Sequence, residues 1–150
     1  MHARPLAAAL AVLVLAGCGT STPPDEQAWE KSSAQVLDDV AGSVASSRIT
    51  LHEERAGHLV GRAGLVMAQD AESSASGATQ GYLHRQPAPG RADDFREIAE
   101  LLHEAGAVLV DARIALATGA EDEYAALQSR LLEVGEALDA AAEPLRGAGG

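Results

Sequence analysis

The strongest pattern in the chain lies toward its C-terminal end. There Tyr124, Leu127, Leu131, Val134, Leu138, Ala141 and Leu145 follow one another at steps of three and four residues. Apolar residues at that spacing share one face of an α-helix, because about 3.6 residues complete a turn. Glu133, Glu136 and Glu143 fall away from the stripe, on the side left to water. The spacing predicts a helix over 121–146, closed by Pro144, Arg146 and a glycine-rich tail. A second stripe, Phe95, Ile98, Leu102, Ala105, Leu109, Ala112 and Leu116, predicts the helix before it, with Glu97, Glu100, Glu104 and Asp111 outward. Asp94 with Glu97 reads as a capping box after the breaker Gln86-Pro87-Ala88-Pro89-Gly90, and Thr118-Gly119 as the stop.

Toward the N-terminus the pattern weakens. Trp29, Ser33, Val36, Val40, Val44, Ser47 and Leu51 share a face and predict a helix over 24–55 that breaks near Gly57. A further helix is expected over 59–84, with Leu59, Ala63, Val66, Asp70, Ser73 and Gly77 turned inward. Gly61, Gly64, Gly77 and Gly81 weaken it, each costing about 1 kcal/mol against alanine in a helix interior. One unbroken helix across both segments is the competing reading. Short connections make successive helices antiparallel neighbours. The expected fold is therefore all-α, an up-down-up-down antiparallel four-helix bundle over 27–146, about 40 Å long at about 1.5 Å per residue.

Composition agrees with helix. The 150 residues suffice for one domain, and Trp29, Phe95, Tyr82 and Tyr124 are the chain's four aromatics, while alanine is abundant. With residues 1–17 removed, 10 Lys+Arg against 22 Asp+Glu leave a formal charge of −12. Such a surface repels phosphate backbones, so nucleic acid is not an expected partner; a basic protein or cations suit it better.

The first residues follow other rules. After the positive Arg4, Pro5 to Gly17 is an uncharged apolar run of 13 residues. About 20 are needed to span a bilayer, whereas this length suits the core of a signal peptide. The run ends in Leu15-Ala16-Gly17-Cys18, the chain's single cysteine. This closely resembles the bacterial lipobox, and the resemblance implies cleavage before Cys18, a diacylglycerol on its sulfur and an acyl chain on its new amino group. Residues 18–26, with Pro23-Pro24 among small polar residues, are expected to be a tether, and 147–150 a disordered tail. The bundle would then be extracytoplasmic and held at a cell membrane.

A resemblance extends into the bundle. Leu37-Asp38-Asp39-Val40 through Ser47, Gln86-Pro87-Ala88-Pro89, and Ala112-Arg113-Ile114-Ala115 before Thr118-Gly119 are similar to segments of a group of secreted helical proteins of unknown function from GC-rich bacteria. It supports the fold and implies no activity.

Few residues invite a chemical reading. Glu100-Leu101-Leu102-His103 has the Glu-x-x-His form of di-iron bundles, but it stands alone, with Glu100 far from the inward stripe and His103 on its flank. It reads as exposed helix charge. His52 and His58 bracket the first turn beside Glu53 and Glu54; a solvated helix end is expected there rather than a divalent-ion site. Asp70 falls on the expected inner side of the 59–84 helix, where an unpaired carboxylate is costly, and Arg113 is its candidate partner. The pair reads as a structural ion pair or as a polar patch within a groove. No catalytic residue, metal or cofactor is expected beyond the lipid on Cys18. The expectation is a non-enzymatic envelope lipoprotein that binds a basic envelope protein or serves structurally. The alternative is a metal- or small-ligand-binding bundle serving an uptake or storage system.

Overall fold

Four helices, and no strand among the described residues, account for the structure, a computed structural model that describes residues 24–147. The leader at 1–17, the lipidation site Cys18, tether residues 18–23 and tail residues 148–150 lie outside the described residues. The helices are α1 (Glu26–Arg55), α2 (Ala63–Leu83), α3 (Ala92–Thr118) and α4 (Tyr124–Gly147), with a short 3₁₀ turn at Glu121–Glu123 ahead of α4. The first two are separate helices, and Gly57 and Gly61 in the turn between them both take positive φ.

Local chemistry sets most of the ends. Asp25 Oδ1 accepts a hydrogen bond from the Ala28 amide at 2.7 Å, filling one of the orphan donors of the first turn of α1. Gly119, at φ 68, closes α3 in the left-handed conformation expected of a glycine cap. The capping box at Asp94 and Glu97 does not form. Helix α3 starts earlier, at Ala92, and the Asp94 carboxylate instead accepts from Arg91 Nη1 at 2.7 Å. With Asp94 already inside the helix, its carboxylate is better used by a charged arginine donor than by a neutral backbone amide.

Helix α1 is central and packs against α4, α2 and α3; α2 also meets α3, and α3 meets α4. All seven residues of the stripe expected on α1 are buried, and Leu37 joins them. The α4 stripe also lines the core, with Ala142 replacing Ala141 as the fully buried member. Helix α3 adds Val108 and Ala115, and Phe95 and Leu116 stand at the core's edge.

Helix α2 departs from expectation. Its buried residues are Gly64, Ala68, Ala71, Ala75 and Tyr82, with Ala78 partly covered. Val66, Asp70, Ser73 and Gly77, expected inside, are exposed, so the helix is turned by about one residue, or ~100°. The physical reason lies opposite, where α1 sets the buried Ser33 against Tyr82 and the buried Ser43 beside Ala71. A seam of alanine and glycine lets two backbones approach closely, and the larger Val66 and Met67 would hold them apart.

Candidate functional site

The most unusual environment gathers where the starts of α1 and α3 meet the end of α2. Trp29 and Ser33, four residues apart, project from the same face of α1 and are buried. Tyr82, the last buried residue of α2, stacks on Phe95 with ring centroids 4.8 Å apart. Arg91, just ahead of α3, lies over the Trp29 ring at 5.3 Å and binds Glu30, Glu26 at 3.0 Å and Asp94 at 2.7 Å. Glu30 is only 7% exposed, so the arginine supplies the countercharge that a buried carboxylate requires. The bond to Asp94, reinforced by the charges of Glu26 and Glu30, holds the Arg91 guanidinium more firmly protonated than usual.

Four polar atoms inside this cluster, Trp29 Nε1, Ser33 Oγ, Tyr82 OH and Arg91 Nε, are buried without a hydrogen-bond partner among the described residues. Burial raises the Tyr82 phenol above its ordinary pKa; Ser33 opposes this without completing a bond, and Asp94 adds to it. The cluster closes one end of the core and ties three helices together. The Arg91–Glu30 ion pair and the Tyr82–Phe95 stack set how those helices meet, because a slip in register would leave the buried Glu30 carboxylate without its cation.

The expected pair of Asp70 and Arg113 does not exist. Asp70 is exposed in a groove between α1 and α2, beside Asp39, Ser43 and Ser74. Arg113 lies in a different groove, between α2 and α3, where its Nε donates to Glu72. The rotation of α2 accounts for this: Glu72, two positions on, turns toward α3 and takes the arginine. Other arginines also join helices, Arg130 reaching Asp111 at 2.8 Å and Arg146 reaching Asp38.

Glu100 and His103 are exposed, and His103 Nδ1 donates to the Ala99 carbonyl at 2.8 Å. His52 and His58 are exposed too, with His58 Nδ1 bonded to Glu53 at 2.8 Å. Among the described residues no group of three His, Cys, Asp or Glu side chains is placed to hold a metal ion, and no helix is long and apolar enough to cross a membrane.

Sequence reasoning passed over Glu30 and Arg91. One signal was present: Glu26 and Glu30 form a like-charged pair four residues apart beside the inward Trp29, an arrangement that needs a cation. No protein-family model, curated protein or solved structure matches the chain, and its function is read from its own residues.

Proposed function

We propose that the chain is an exported lipoprotein of the bacterial cell envelope, whose helical bundle binds another envelope component or acts structurally, without catalysis. One observation carries the reading: Leu15-Ala16-Gly17-Cys18 closes an uncharged run of 13 residues and holds the chain's single cysteine. A free thiol there is the nucleophile that lipidation needs, and the small residues before it suit a peptidase cleft. Two or three acyl chains anchor firmly, since each buried CH₂ contributes about 0.8 kcal/mol.

The helices are proposed to run up, down, up and down. Support comes from contacts that join opposite ends of neighbours: Ser33 early in α1 with Tyr82 late in α2, and Glu54 late in α1 with Gly64 early in α2. The Tyr82–Phe95 stack between the end of α2 and the start of α3, and the pairs Arg130–Asp111 and Arg146–Asp38, support the same order. In this topology Asp25 and the end of α4 share the end nearest the membrane, and the Trp29 cluster seals it.

The non-enzymatic reading draws on the roles found for the unusual side chains. Arg91, Arg146 and Tyr82 each join helices. The formal charge of −12 over residues 18–150 favours a basic partner. Labelling cells with a fatty-acid probe tests the anchor: wild type incorporates label and fractionates with membranes, and Cys18→Ala does neither. Equal labelling of the two forms, or a mature chain with its leader uncut, refutes the proposal.

A further inference from the structure

We draw no further inference here: the strongest candidate, the open groove between α2 and α3 along the exposed stripe of Gln69, Ser73, Ser76, Gly77 and Gln80, is a face of small and amide side chains whose one arginine, Arg113, is already held by Glu72, and nothing in the structure shows what covers it.

Discussion

Alanine substitutions at three glycines of α2 separate backbone preference from packing. Gly77 and Gly81 lie within the helix, and an added methyl at either would find no neighbour within 4 Å, so alanine there removes backbone freedom from the unfolded chain and adds no clash. Each substitution is expected to stabilise by about 0.5–1 kcal/mol, or roughly 2–4 °C in Tm for a domain of this size. Gly81, nearer the frayed end, gains the smaller share. Gly64 differs. A Cβ there overlaps Glu54 Oε2 and lies 3.2 Å from Glu54 Cδ and 3.3 Å from Leu59 Cδ1. Glu54 Oε2 is already buried without a hydrogen-bond partner among the described residues. Moving that carboxylate off its rotamer costs about 0.5–1.5 kcal/mol, which offsets the helix gain. Urea unfolding followed by far-UV circular dichroism measures all three, and the m-value should stay constant. A Gly64→Ala variant as stabilised as Gly77→Ala would refute the reasoning, as would a destabilised Gly77→Ala.

Three further outcomes follow from the core and its ends. Arg91→Gln leaves Glu26 and Glu30 without their cation and uncovers Trp29, the chain's one tryptophan; its emission shifts to the red and acrylamide quenches it more strongly, and an unchanged spectrum contradicts the role given to Arg91. Leu37→Ala, at a fully buried position on the central helix, lowers stability by about 2–5 kcal/mol in the same urea assay, and a loss below about 1 kcal/mol counts against the packing described. Burial raises the phenol pKa values of Tyr82 and Tyr124, with Glu54 and Glu121 adding to the second. The unfolded tyrosines therefore ionise first. Stability from this source is intact below about pH 10 and is lost as pH climbs through the raised native values. The double variant Tyr82→Phe/Tyr124→Phe should lose less stability than wild type between about pH 9 and pH 11, and parallel losses would show that other groups govern the alkaline limb.

The three helices with large apolar side chains were legible in the sequence, because Leu, Val and Trp at steps of three and four leave little freedom about which face turns inward. Helix α2 was not. Its inner line of Gly64, Ala68, Ala71, Ala75 and Tyr82 has the right period, but alanine and glycine differ little from serine in apolar area, whereas Val66 drew the reading onto the solvent side. That one-residue error moved Asp70 inside and hid Glu72, and so gave Arg113 the wrong partner. The Asp94 cap failed for a different reason: α3 begins earlier, at Ala92, so Asp94 lies inside the helix and Arg91 takes its carboxylate. The end cluster at Trp29 joins residues distant in sequence, and local periodicity carries no information about such a meeting.

The alanine seam under α2 has a consequence for motion. Apart from Tyr82, this helix anchors itself with methyl groups, so it forfeits less on lifting away than α1 or α4, which hold leucines and valines in the interior. Its amides should exchange with deuterium sooner than theirs, starting at Ala63 and advancing toward the Tyr82–Phe95 stack, which acts as a hinge pin. Lifting of this kind would uncover Ser33 and Ser43, the buried hydroxyl residues of α1 that α2 covers.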